Sequence, residues 1–137
     1  MKLNLSAFEN AVGRLQESLD YSHSNMAKQD FKLFQQFRNS VIQCYEFTYE
    51  ISWKMIERWL SIKLPAPQTK LGFNDLFREA AQYGLIDSPE SWFEYRRARN
   101  ITSHTYNDRL AQEVYEVAET FLIDVHKLLK KLKENNV

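Results

Sequence analysis

Apolar residues recur along this chain at steps of three and four, the period of a helix with one buried face. Phe8, Val12, Leu15 and Leu19 make the first such stripe. Ser6 with Glu9 three positions on has the form of a capping box, and Leu5 stands where a hydrophobic staple would. The stripe fades at Ser22-His23-Ser24-Asn25, read as a polar turn that leaves His23 exposed and without a function. Asp30 is placed to cap a second, long helix reaching about Leu64. Its stripe runs Phe31, Phe34, Phe37, Val41, Tyr45, Thr48, Met55 and Trp59, widened by Ile42, Ile51, Ile56 and Leu60. Pro65-Ala66-Pro67 stops it, because proline lacks the N–H donor and disfavours helix in the residue before it. An apolar arc this broad needs cover on more than one side. The helix is expected at the centre of a bundle, or at an oligomer interface as well.

After a linker from Pro65 to Lys70, a short helix is expected over about Phe73 to Tyr83, with Gly72 or Asn74 near its start. Gly84 then stands where a left-handed cap is required. Asp87-Ser88-Pro89-Glu90 is a helix start with a cap, a proline in the first turn and an acid beside it. Asn107-Asp108 punctuates the chain again and caps a last helix striped by Leu110, Val114, Val117, Phe121, Val125, Leu128 and Leu132. Lys130, Lys131 and Lys133 suit the negative end of that helix dipole, and His126 is read as packing or rim. The expectation is one all-α domain over residues 1–137, an up-and-down bundle of about five helices.

Composition narrows the function. The chain has 18 basic and 18 acidic residues, so it lacks the overall cationic charge of a bulk nucleic-acid binder, and any such contact is local. Its one cysteine, Cys44, allows no disulfide framework and is read as a small core residue. No apolar run approaches the ~20 residues that span a bilayer, and the chain opens without a signal-peptide pattern. No membrane, no metal and no cofactor are expected, and the location expected is cytoplasmic.

One stretch is not explained by packing: Glu94-Tyr95-Arg96-Arg97-Ala98-Arg99-Asn100-Ile101-Thr102-Ser103-His104-Thr105-Tyr106. Arginine is a permanent cation whose fork fits a phosphate, and histidine moves protons near neutral pH. With no carboxylate or thiolate cluster to hold a metal, this set suits metal-independent phosphodiester chemistry. A base would activate the ribose 2′-hydroxyl while a cation steadies the charged phosphorane. The bland alternative is a solvated cationic face with His104 as a cap. On an unbroken helix, positions five apart lie ~140° apart around the axis, so Arg99 and His104 would not share a face. Either the helix frays near Ser103, or a two-fold dimer supplies one residue from each chain. Arg99 and Tyr106 would align only if the helix reached that far, with Arg96 and Asn100 a four-residue pair beside them. Glu46, Glu50 and Lys54 share another face, either solvated surface or a polar patch turned toward a partner or cleft.

Arg99 to Tyr106 resembles the Arg-x4-His-x-Tyr signature of HEPN domains, in particular the nucleotidyltransferase substrate-binding proteins. Arg38-x3-Ile42-Gln43-x2-Glu46-Phe47-x2-Glu50-x2-Trp53-Lys54 is similar to that subgroup's long helix, as are Gly84-Leu85-Ile86-Asp87 and Trp92. The resemblance implies a homodimer with the motif at or near the dimer cleft, and a separate minimal nucleotidyltransferase chain as companion. It implies one of two roles toward RNA or nucleotide. The chain is a substrate-binding subunit of a two-part transferase, or a toxin-type ribonuclease that the transferase silences by adenylylating the motif tyrosine. On the second description Arg99 holds the phosphate, His104 acts as acid or base, Asn100 orients the scissile group and Tyr106 is modified. Arg96, Glu46 and Ser103 are the accompanying binding candidates.

Overall fold

The computed structural model describes residues 3–64 and 71–135. Six α-helices follow one another: α1 (Ser6–Ser22), α2 (Asn25–Gln29), α3 (Phe31–Lys63), α4 (Phe73–Gln82), α5 (Pro89–Asn100) and α6 (Asp108–Glu134). A single 3₁₀ turn, Thr102–His104, lies between the last two, and no strand occurs among the described residues. The protein is an all-α bundle. The proline stop and the linker from Pro65 to Lys70 lie outside the described residues.

The starts of the helices follow their caps. The Asp30 carboxylate accepts the Lys32 and Leu33 N–H groups, Ser88 accepts from Ser91, and Asn107 accepts from Leu110. The first helix departs from expectation. Ser6 is already helical, and its N–H and hydroxyl both turn to the Asn4 side chain, at 3.0 and 2.8 Å, so Asn4 does the work assigned to a Ser6 capping box. The polar turn after it is also more ordered than its composition suggests, because Ser24 caps the short helix α2. At the end of α4 the left-handed cap forms as expected, with Gly84 at φ +77°. Its N–H bonds to the Ala81 carbonyl at 3.0 Å and that of Leu85 to the Ala80 carbonyl at 2.8 Å.

Long α3 is the axis. It packs against α1 along one side and meets α4, α5 and α6 on others, while α6 closes the bundle against α1, α3 and α5. Phe121 of α6 is fully buried, and around it stand the rings of Tyr45, Tyr95, Trp92 and Tyr49, with centroids at 5.0, 5.0, 5.7 and 6.4 Å. This ring cluster clamps α5 to α3. Tyr45 donates to the Tyr95 carbonyl at 2.6 Å, and the Tyr95 hydroxyl bonds Asp124, so the buried phenols are partly satisfied across three helices. Phe31, expected in the α3 stripe, is 62% exposed at the first position of that helix, where it stacks on Phe34. Cys44 is half-buried against the core, its Sγ 3.4 Å from the Ser18 hydroxyl. His126 is a rim residue, bonded to Gln16 at 3.0 Å, and exposed His23 meets Glu119 at 3.1 Å. Among the described residues no helix is long and apolar enough to cross a membrane.

Candidate functional site

The motif stretch leaves the helix early. Trp92, Tyr95 and Ala98 bury the inner face of α5, which ends at Asn100. Ile101 then bonds back to Ala98 at 3.1 Å, His104 to Ile101 at 3.0 Å and Asn107 to His104 at 3.2 Å, so residues 101–107 are a run of tight turns. α3 holds the far end of this run. The Arg38 side chain, only 4% exposed, reaches Asp108 and Gln112 in the first turns of α6, and the guanidinium holds the Asp108 carboxyl below the usual range. The helix does break, at Asn100 rather than near Ser103 as expected. The alignment of Arg99 with Tyr106 does not arise, since it required an unbroken helix.

Arg99 is half-buried, and its Nε donates to Glu50 Oε1 at 3.0 Å. The second Glu50 oxygen accepts from the Trp53 indole at 3.1 Å. One turn earlier, Glu46 accepts the Thr102 hydroxyl at 2.6 Å, a proton shared with the Arg99 carbonyl at 2.8 Å. Thr102 in turn receives the Thr105 hydroxyl on its own carbonyl at 2.9 Å. Two carboxylates on consecutive turns of α3 therefore face the motif, so for Glu46 and Glu50 the solvated-surface reading is replaced by the polar-patch one. Lys54, the third of that series, stays exposed beside the Trp53 ring.

Arg96 lies over the Phe73 ring at 4.4 Å, and Phe73 meets Trp53 edge-on at 5.0 Å. Arg97 points elsewhere: it is tied to Glu94 and Glu113 on the outer face, and its hydrogen bonds hold the Glu94 carboxyl below the usual range. Beneath the site, burial drives the Tyr49 phenol upward, with Glu50 reinforcing and Arg96 and Arg99 opposing that shift. Its hydroxyl has no hydrogen-bond partner among the described residues.

Asn100, Ser103, His104 and Tyr106 are exposed. The His104 and Tyr106 rings stand edge to face at 6.3 Å, and Tyr106 is 88% exposed, so its hydroxyl is open to a large partner. No hydrogen bond or ion pair among the described residues joins Arg99 to His104. The structure thus gathers Arg99, Arg96 and Glu46 around Glu50, Trp53, Thr102 and Phe73, and presents His104 and Tyr106 on the adjoining turn. Thr102 and Phe73 were not read as site residues. Nothing in a lone threonine or a helix-start phenylalanine marks them, whereas the four-residue step from Glu46 to Glu50 was a usable signal. Among the described residues no three His, Cys, Asp or Glu side chains converge as a metal site. The groups on offer are cations, hydroxyls, an imidazole and two carboxylates, a set able to bind an anionic ester and move a proton.

The family model for nucleotidyltransferase substrate binding protein like chains matches residues 3–134. A Haemophilus influenzae protein named probable ribonuclease HepT is 37% identical over 141 residues, covering 98% of this chain and 95% of that one. A solved H. influenzae structure, described as revealing the fold of a substrate binding domain of a nucleotidyltransferase, superposes with a TM-score of 0.85 at 36% identity, covering 95% and 99% of the two chains. A Thermus thermophilus structure shares the fold, with a TM-score of 0.70 at 21% identity, covering 91% and 98%. The chain belongs to the nucleotidyltransferase substrate-binding-protein-like family, the HEPN subgroup to which its Arg99–Tyr106 motif pointed.

Proposed function

We propose that this chain is a cytoplasmic, homodimeric, metal-independent endoribonuclease that works with a separate minimal nucleotidyltransferase and is silenced by adenylylation of Tyr106. The observation that carries the reading is the arrangement of the motif. Among the described residues the Arg99 side chain is anchored through Nε, which leaves its other guanidinium N–H groups for a phosphate, and the adjoining turn holds His104 in solvent. Support comes also from the relative named a probable ribonuclease and from the family's substrate-binding description. In the reaction, His104 takes the proton of a ribose 2′-hydroxyl, and the 2′-oxygen attacks the adjacent phosphorus. The 5′-oxygen then leaves, taking a proton from the imidazolium or from water. Arg99 stabilises the charge that builds on the phosphoryl oxygens, and Asn100 orients the scissile group. Transfer of AMP to Tyr106, with release of pyrophosphate from ATP, places a phosphodiester anion beside His104 and repels an RNA phosphate from the same turn.

A second reading, a non-catalytic substrate-binding subunit of a two-part nucleotidyltransferase, is favoured by one observation: Arg99 is already paired with Glu50 and is not bonded to His104. RNA cleavage by the purified chain in chelator separates the two. It is run beside Arg99→Ala and His104→Ala proteins checked for folding, after an intact mass has established that Tyr106 is unmodified. Cleavage lost in both variants is expected. Cleavage that needs a divalent metal, or that survives both substitutions, overturns the mechanism, and no cleavage of several RNAs assigns the chain to the binding role. Incubation with the partner and ATP should add a nucleotide mass to Tyr106 and none to a Tyr106→Phe chain.

A further inference from the structure

Two of the three arginines of α5 are paired with carboxylates, and one is not. Arg97 is neutralised by Glu94 and Glu113, and Arg99 by Glu50. Arg96 meets no anion among the described residues, although it is half-buried. Its guanidinium lies instead over the Phe73 ring, at 4.4 Å. The guanidinium and that ring open onto a cavity of about 230 Å³ between α4 and α5, lined by Gly72, Phe73, Asn74, Asp75 and Arg96.

The cavity is joined to the candidate catalytic arginine. Phe73 packs on Trp53, Trp53 holds Glu50, and Glu50 holds Arg99. Arg96 and Arg99 are three residues apart on one helix, so they are neighbours on its surface, with Cβ atoms about 5–6 Å apart. A ligand seated at Arg99 therefore extends naturally over Arg96.

Asp75 also lines the cavity, its carboxylate paired with Arg78 at 3.3 Å, so the wall mixes charges rather than offering the cationic cradle that a phosphate group favours. The Arg96 guanidinium lies over an aromatic face, so it offers a flat cationic plate with one ring already beneath it. A flat plate with an amide and a carboxylate at its edge matches a planar heterocycle that stacks and hydrogen-bonds at once. The volume is below the ~300–1,000 Å³ of a typical whole-ligand pocket, which fits one ring system rather than an entire nucleotide.

We infer that the Arg96–Phe73 cavity is a nucleobase subsite that seats the base next to the phosphate held by Arg99 when a single RNA strand is bound. The inference rests on the reading of Arg99 as the phosphate-binding residue. Phe73 makes the floor, Arg96 the stacking plate, and Asn74 and Asp75 the hydrogen-bonding edge.

The test is fluorescence anisotropy of the full chain with short labelled single-stranded homopolymers of each base, made as 2′-O-methyl RNA so that no 2′-hydroxyl is present to attack. An abasic strand with the same backbone and length reports backbone binding alone. The unsubstituted chain should bind at least one homopolymer about fivefold or more tightly than the abasic strand. Arg96→Lys keeps the charge and removes the plate. Asn74→Ala, at an exposed position, leaves the core alone. Either should drive that ratio toward one, while Arg99→Ala weakens the abasic strand itself. If Arg99→Ala acts and neither other substitution changes the ratio, the subsite is refuted and the phosphate reading stands. If Arg99→Ala leaves abasic binding untouched, the phosphate reading fails, and the subsite with it. Displacement of the homopolymer by free mononucleotides at matching concentration would assign the cavity to a free nucleotide and overturn its placement on a strand.

Discussion

The Glu50 carboxylate makes opposing demands on Arg99, and their balance is measurable. It fixes the guanidinium through Nε at 3.0 Å, yet its charge competes with any phosphate for the same cation. The two side chains are 30% and 36% exposed, so solvent screens the pair strongly, and the water-like limit of about 1 kcal/mol for unit charges 4 Å apart is the relevant scale. Glu50→Gln removes the charge and keeps an acceptor for Nε, so binding of single-stranded RNA should tighten by up to about fivefold. Glu50→Ala removes the same charge but frees a side chain whose reordering costs up to about 1.5–2 kcal/mol, which cancels or reverses the gain. Anisotropy titrations with 2′-O-methyl strands, which lack the attacking hydroxyl, should therefore rank Glu50→Gln above the unsubstituted chain, and that chain level with or above Glu50→Ala. The difference should shrink as salt is raised. The reasoning is refuted if Glu50→Gln weakens binding, or if its gain persists when Arg99 is also alanine.

Three further outcomes follow from the bundle. Phe121→Ala should destabilise by about 3–5 kcal/mol and lower Tm by roughly 2–4 °C per kcal/mol in thermal unfolding, whereas Phe121→Leu, which mostly preserves volume, should cost less than half as much. Equal losses would mean that the aromatic pairing, not the cavity, dominates. Gly84→Ala meets no atom of the described residues within 4 Å of the new Cβ, so its penalty is that of the left-handed backbone, about 1–2 kcal/mol by urea unfolding, and a neutral result would refute that account. Glu94 and Asp87 are both held below the ordinary carboxylate range, by Arg97 and by Lys127 with Lys131. Their stabilisation is fully present above the unfolded values, about 4.3 and 3.9, and is lost as pH falls through the lower folded ones. Glu94→Gln with Asp87→Asn should flatten the acid limb of a stability–pH curve, and an unchanged limb would place acid sensitivity elsewhere.

The helices were legible because their period and caps are local signals. Asp30, Ser88, Gly84 and Asn107 each act within a few residues of themselves. The misread start of α1 was a close contest between two neighbouring polar side chains, which pattern alone does not decide. In the site, Arg99 and His104 could be named from the motif, but their surroundings could not. Thr102 and Phe73 acquire meaning only because α3 lies beside them, and the orientation of Arg97 away from the site is set by Glu113 of another helix. Those are facts of packing, silent in one dimension.

The contacts that hold the motif, Arg99 to Glu50 and Thr102 to Glu46, join residues 49 and 56 positions apart in the chain. No segment carries the site by itself. If α5 with its following turn opens as a local unit, the site is dismantled while α1 and α3 remain paired, and ligand binding becomes a gauge of α5 docking. In mild denaturant, RNA affinity would then fade before the helical signal does. The same opening gives a modifying partner a route to the whole 99–106 stretch, so protection of its amides against hydrogen exchange would rise when RNA is bound.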